Sequence, residues 1–265
     1  MDAKKNILVG LNTMITILSS CFAMAGTWTT IDAPDAVETH VQGISGNNVV
    51  GWSYDEYDNR NGFLYNRTTS MWSIIDKPGA YETYPQGIFG STIIGNYYDG
   101  QTHGFRYNCM TSTWSELDMP GADETYPQGI DGSNIVGYSW INGVEQGFIY
   151  NGQTWSTFKL PYPYENETYP MDISGNNIAG YFNDGTGTHG FLYDIVSSQW
   201  IVVNTVFPVD GDQYCKILGI DGDNIVGIQL IDESTHGFLH YNGTTWILFD
   251  YPGGIDYGNC HWIYV

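Results

Sequence analysis

Repetition constrains this chain more than any other feature. Six tryptophans, Trp28, Trp72, Trp114, Trp155, Trp200 and Trp246, stand 44, 42, 41, 45 and 46 residues apart. Between them the same landmarks return in the same order. A turn follows an acidic residue in "IDAPDAVET", "IDKPGAYET" and "LDMPGADET", and degenerates in "KLPYPYENET" and "VNTVFPVDGDQY". A short run then ends in "GISG", "GIFG", "GIDG", "DISG" or "GIDG". After it come "NVVGWSY", "TIIGNYY", "NIVGYSW", "NIAGYFN" and "NIVGIQL", and then "NGFLY", "HGFRY", "QGFIY", "HGFLY" and "HGFLH". The next Trp strand closes the unit. Four short apolar or alternating runs, split by Gly, Asn, Asp and Ser turns, predict a four-stranded antiparallel meander, with strands a, b, c and d. A period of roughly 40 to 50 residues built this way is that of a β-propeller blade. The dense glycines oppose helix.

A sheet module this small cannot cover both of its own apolar faces, so copies must pack around an axis. The expected fold is all-β: a five-bladed β-propeller of four-stranded antiparallel blades. Its repeats lie at about 40–72, 82–114, 124–155, 167–200 and 214–246, within a domain of residues 26–265. Six Trp strands for five sets of a, b and c leave one strand surplus. "TWTTID" would complete the last blade or add an outer strand to it, so that the terminal strands close the ring. The alternative is a six-bladed ring with an incomplete blade, because "CHWIYV" at 260–265 aligns with "CKILGI" at 215–220. Gly51, Gly95, Gly137, Gly180 and Gly227 sit in the middle of strand b. A glycine there lets a neighbour come close, and the expected neighbour is a Trp or Phe of the adjacent blade. Phe63, Phe105, Phe148, Phe191 and Phe238 are expected to fill the gaps between blades, and the Trp series to serve packing.

Charged residues make up 14% of the chain and aromatic ones 15%, a composition of folded rather than disordered protein. The formal net charge of −21 excludes a general electrostatic affinity for nucleic acid and disfavours anionic membrane surfaces. Residues 1–25 read as a signal peptide: a basic "MDAKK", an apolar middle and "AMA" before the cleavage point after Ala25. The alternative is a lipoprotein anchored at Cys21, because "LSSC" has the form of a lipobox. No other segment reads as a membrane span. The expected location is therefore extracellular or periplasmic, and the expected state a monomer. After cleavage Cys109, Cys215 and Cys260 remain. Cys215 and Cys260 occupy equivalent positions and are the candidate disulfide; Cys109, in a c–d turn, is the candidate free thiol.

The repeats resemble those of a class of bacterial exported proteins with HAF-type extracellular repeats, of the form TIDxPGA…GI…IVGxY…HGFLY. Residues 27–250 carry the pattern, best in "IDKPGAYET…QGI…IIGNYYDG…HGF" and "LDMPGADETYPQGI…IVGYSW…QGF". The resemblance implies architecture and export, and it implies no catalytic residues.

Because successive strands alternate in direction, the d–a and b–c turns share one face. That face gathers Glu38, Glu82, Glu124 and Glu167, then Tyr84, Tyr126 and Tyr169. It also gathers Asp55, Asp99, Asp184 and Asp232 with His103, His189 and His236. One Asp and one His per blade do not converge on a single ion, and zinc needs about four close ligands. No cofactor is expected. Calcium at "YDEYDN" or "FNDGTG" is the alternative, since hard oxygen ligands suffice for it. Hydrolysis needs an asymmetric pair of carboxylates or a nucleophile with its base, whereas these acids sit at near-equivalent positions; a polysaccharide-acting hydrolase is the runner-up. Repeated turns on one rim suit a repeated ligand. The expected function is non-catalytic, lectin-like carbohydrate binding, with Glu82, Tyr84, Glu124, Tyr126, Glu167 and Tyr169 as ligand-binding residues. A surface protein bound on the same face is the rival partner.

Overall fold

Strand a of each repeat turns into strand b through two residues, the first of them glycine. Gly46, Gly90, Gly132, Gly175 and Gly222 have φ of 59°, 57°, 61°, 58° and 57°. Glycine takes this left-handed backbone without strain, and a two-residue loop with glycine first fits the twist of an antiparallel pair. From these hairpins a computed structural model, which describes residues 30–160, 167–203, 213–231, 234–241 and 243–248, builds twenty strands. Blade 1 holds β1 (Glu38–Ser45), β2 (Asn48–Tyr54), β3 (Arg60–Asn66) and β4 (Met71–Ile74). Blade 2 holds β5 (Glu82–Phe89), β6 (Thr92–Tyr98), β7 (Thr102–Asn108) and β8 (Thr113–Glu116). Blade 3 holds β9 (Glu124–Asp131), β10 (Asn134–Ile141), β11 (Val144–Tyr150) and β12 (Trp155–Phe158). Blade 4 holds β13 (Thr168–Ser174), β14 (Asn177–Asn183), β15 (Gly187–Asp194) and β16 (Gln199–Val203). Blade 5 holds β17 (Gln213–Asp221), β18 (Asn224–Ile231), β19 (Ser234–Tyr241) and β20 (Thr245–Leu248).

Every blade is an antiparallel a–b–c–d meander, and the first strands of consecutive blades pack on one another. A short parallel pairing of Gly187 with Gln213 and Thr188 with Tyr214 joins blade 4 to blade 5. The all-β, propeller-type expectation holds, with five four-stranded blades among the described residues. The signal segment, Trp28, the terminal strands expected to close the ring, and Cys260 lie outside those residues.

The hydrophobic core lies between the blades. Four clusters fill the four seams from blade 1 to blade 5. Strand b explains its own apolar run: Ile93 enters the blade 1–blade 2 seam while its neighbour Ile94 enters the blade 2–blade 3 seam. Ile135 and Val136, and Ile178 and Ala179, divide in the same way. Alternation sends successive side chains to opposite faces, and here both faces are interior. Burying one such Ile contributes roughly 2–3 kcal/mol. Phe63, Phe105, Phe148, Phe191 and Phe238 are all buried, as expected of gap fillers. Each packs edge-on against the Trp of its own blade's strand d, at 5.0–5.5 Å in all five blades.

The glycines in strand b have a different neighbour from the one expected. A Cβ on Gly95 would fall 2.1 Å from the Tyr84 carbonyl oxygen; for Gly51, Gly137, Gly180 and Gly227 the nearest atom is likewise the carbonyl of the paired strand a, at 2.0–2.2 Å. The rings that come close, such as Phe63 to Gly51, belong to strand c of the same blade. The cause is a bulge in every first strand, between Pro85 and Gly87 in blade 2, which tips one carbonyl onto strand b. Close approach of the next blade occurs instead at the glycine just before the Phe of strand c. A Cβ on Gly62 would meet Pro85 at 2.7 Å, and one on Gly147 would meet Pro170 at 2.8 Å.

Candidate functional site

The segment Glu-Thr-Tyr begins β5 and β9 and brackets the start of β13, and strand alternation separates its side chains. Thr83 and Thr125 point inward, where their hydroxyls accept the Lys77 and Met119 amides at 3.0 Å and fix the d–a turn. The Glu and Tyr on either side meet each other. Tyr84 Oη donates to Glu82 Oε2, and Tyr126 Oη to Glu124 Oε2, both at 2.5 Å; Tyr169 Oη lies 3.1 Å from Glu167 Oε2. In blade 1, Tyr54 at the end of β2 takes the phenol's role, donating to Glu38 at 2.5 Å. The structure thus joins the six expected residues as three pairs, one per blade.

The tyrosine rings lie against the preceding blade. Tyr84 meets Trp52 edge-on at 5.3 Å, and Tyr169 meets Tyr138 edge-on at 5.2 Å. With Tyr126 stacked on Tyr138 at 4.9 Å and Tyr169 on Tyr181 at 4.8 Å, a row of rings runs from blade 3 to blade 4. Lys216, which holds the tyrosine's place in blade 5, ends the row with its Nζ 4.2 Å over Tyr181. Burial, assisted by the Glu82 and Glu124 carboxylates, pushes the phenols of Tyr84 and Tyr126 up to about 12. Burial and Glu145 push Tyr169 further in the same direction.

One seam position varies in charge. Arg60, Thr102 and Glu145 stand two residues before the "GF" of strand c and face the tyrosine of the next blade. Arg60 donates to Tyr84 Oη at 3.3 Å, Thr102 hydrogen-bonds Tyr126, and Glu145 hydrogen-bonds Tyr169. In the Asp and His series, two of the histidines pair with an acid of their own blade. His103 Nδ1 contacts Asp118 at 2.8 Å, and His189 Nε2 contacts Asp184 at 3.1 Å. No group of three or more His, Cys, Asp or Glu among the described residues is arranged to hold a metal ion. Asp55, in "YDEYDN", spends its oxygens on the Tyr57 and Asn59 amides and the Asn59 side chain, which lowers its pKa. Cys215 is a free thiol buried in the blade 4–blade 5 seam, and burial pushes it up to about 12; Cys109 is also free.

Four residues that the sequence reading did not single out stand on this face. Tyr57, Tyr81, Tyr98 and Trp140 are 76%, 74%, 41% and 36% exposed. Among the described residues one further aromatic ring, Phe89, is exposed, and it lies on the opposite face. Tyr98 and Trp140 are the outward partners of Glu82 and Glu124 in the strand pairing, and Tyr81 packs 6.2 Å from Tyr98. The available signal was the position after the buried Tyr97 and Ser139, where alternation turns the next side chain to solvent.

Blades of four antiparallel strands, packed through their faces around their first strands, define a β-propeller. No protein-family model and no curated protein sequence matches this chain. Among solved structures it is similar to a putative TolB from Agrobacterium tumefaciens, with a TM-score of 0.59, 13% identity, and coverage of 80% of each chain. It is similar to TolB from Acinetobacter baumannii at a TM-score of 0.54 and 13% identity, over 75% of this chain; the match spans half, 50%, of that longer chain. The β-propeller domain of the Trilobed protease from Pyrococcus furiosus matches at 0.52 and 10% identity, over 81% of this chain and 70% of that one. At these identities the likeness is one of fold.

Proposed function

We propose that the chain is an exported, non-catalytic binding protein of the HAF-type repeat class. On this reading the d–a and b–c turn face binds neutral, hydroxyl-rich glycans. The observation that carries the reading is the set of exposed rings, Tyr57, Tyr81, Tyr98 and Trp140, standing beside half-buried Glu82 and Glu124. A flat ring covers the apolar face of a pyranose, and carboxylates accept from its hydroxyls. The Glu82–Tyr84, Glu124–Tyr126 and Glu167–Tyr169 pairs form the floor beneath them. The acidic rim repels uronate, sialylated and sulfated chains. Each contact is weak, and several blades acting on one polymer supply avidity.

A glycan array probed with the mature protein tests this. Neutral polysaccharides should be retained and uronate-rich ones not. Tyr81→Ala, Tyr98→Ala and Trp140→Ala should each weaken retention about three- to tenfold, the worth of one ring contact. An array without hits overturns the reading. Sugar release from a polysaccharide panel would replace it with hydrolysis, and specific capture of one protein would replace it with a protein-binding face.

A further inference from the structure

One residue sets the seam between blades 4 and 5 apart. Just beyond the bulge, the first strand carries Gly43, Gly87, Gly129 and Gly219 in blades 1, 2, 3 and 5; blade 4 has Asp172 in that slot, paired with Ala179 as Gly87 is with Ile94. On one side β9 accommodates it through glycine, since a Cβ on Gly129 would lie 2.5 Å from the Asp172 Cα. On the other side the carboxyl reaches blade 5. Its Oδ2 accepts the Ile220 amide at 2.9 Å, and its Oδ1 accepts the Ile173 amide at 2.8 Å. Beside it Ser174 Oγ accepts the Gly222 amide at 3.0 Å, a second tie across the same seam. Ile220 is also a wall of a groove of about 260 Å³ between the two blades, lined by Leu192 and Ile201 from blade 4 and Ile225 from blade 5.

The Ile220 and Ile173 amides favour a charge on Asp172, but burial, with the like charges around it, outweighs them. It lies deep among the strands while keeping some accessible surface, so that protons can reach it. The charges that bear on it are those of Asp131 on β9 and Asp221 on β17, both acidic. None of the ion pairs among the described residues involves it. The other titratable groups nearby have partners at the opposite end of the strands. Tyr169 on β13 holds Glu145 from β11, Tyr126 on β9 holds Glu124, Tyr138 from β10 stacks on Tyr126, and Lys216 on β17 sits over Tyr181 of β14 and 5.4 Å from Tyr214.

We propose that Asp172 is a proton-controlled latch on the blade 4–blade 5 seam. Protonated, it keeps the seam shut; ionised, it favours release of β17 and of the groove wall that β17 carries. Burial raises its pKa from the ordinary aspartate value to about 7. The closed seam therefore holds a proton that the open one releases. Closure is fully favoured below about pH 4 and is progressively lost as pH rises to about 7.

The experiment is amide exchange on the full chain from pH 4 to pH 8, expressed as protection factors. The open population reported by the Ile220 amide should rise about tenfold per pH unit up to about pH 7 and then level off. Asp172→Asn and Asp172→Gly should both flatten the slope; the second installs the residue of the other four blades and keeps the test readable if the amide variant folds poorly. The Met119 amide, held by the non-titratable Thr125 hydroxyl, serves as the internal reference. A flat wild-type profile, or a slope that survives in both variants and so does not arise from Asp172, overturns the latch.

Discussion

The tightest backbone contact in each blade gives the most direct test of how the blades are built. Gly95→Ala places a methyl 2.1 Å from the Tyr84 carbonyl oxygen and 2.9 Å from the Pro85 Cα. The first distance is about 1 Å inside van der Waals contact. The carbonyl has no freedom to retreat. It is tipped there by the bulge of β5, and Pro85 in that bulge fills the space left open by Gly62 of blade 1. Relief therefore requires β5 to shift in the blade 1–blade 2 seam, where Ile88 and Ile93 are packed. Overpacking alone costs about 1–3 kcal/mol, and partial loss of that packing brings the expected destabilisation to about 3–4 kcal/mol. Gly90→Ala is the control. No atom lies within 4 Å of its would-be Cβ, so the cost is that of a left-handed alanine, about 1–2 kcal/mol. Urea unfolding followed by tryptophan fluorescence should show the Gly95→Ala midpoint lower by about 1 M or more at unchanged slope. A Gly95→Ala protein as stable as Gly90→Ala would refute the reasoning, because the bulged carbonyl would then be free to move.

Thr83→Val removes the buried hydroxyl that accepts the Lys77 amide and should cost about 1–3 kcal/mol in thermal unfolding, with Thr83→Ser largely restoring it. The raised phenols of Tyr84 and Tyr126 have an alkaline signature. Their folded values lie above the unfolded ones, so the stability they contribute is intact below about pH 10 and is lost as pH rises towards 12. Phenolate absorbance should show a late-titrating group that includes Tyr84, Tyr126, Tyr138 and Tyr169 and that loses two members in the Tyr84→Phe, Tyr126→Phe double variant; titration of all tyrosines near pH 10 would refute it.

The architecture was legible because packing between blades repeats and so leaves a periodic trace. The apolar pair in strand b, the Phe of strand c and the Trp of strand d each recur where both faces of a sheet are interior. The neighbour of Gly95 was misread because a bulge shifts the register by one residue, and composition carries no mark of which carbonyl it tips. The candidate site was legible in part for a related reason. Tyr84, Tyr126 and Tyr169 recur in the sequence and lie against the preceding blade. Tyr57 and Tyr81 have no aromatic counterpart in the other blades, as residues facing solvent are free to vary, and a search for repeats passes over them. Tyr98 and Trp140 do share a repeat position with Tyr54, opposite Glu82, Glu124 and Glu38, but it lies at the strand end, where the apolar landmarks of strand b have already run out.

The division of Ile93 and Ile94 between two seams also bears on assembly. A blade has no interior of its own; its left side fits the right side of the blade before it, a head-to-tail contact rather than a self-complementary one. A single blade expressed alone would therefore present two sticky, mutually matching surfaces. It should polymerise into arcs, with the turn per unit deciding whether the ends meet.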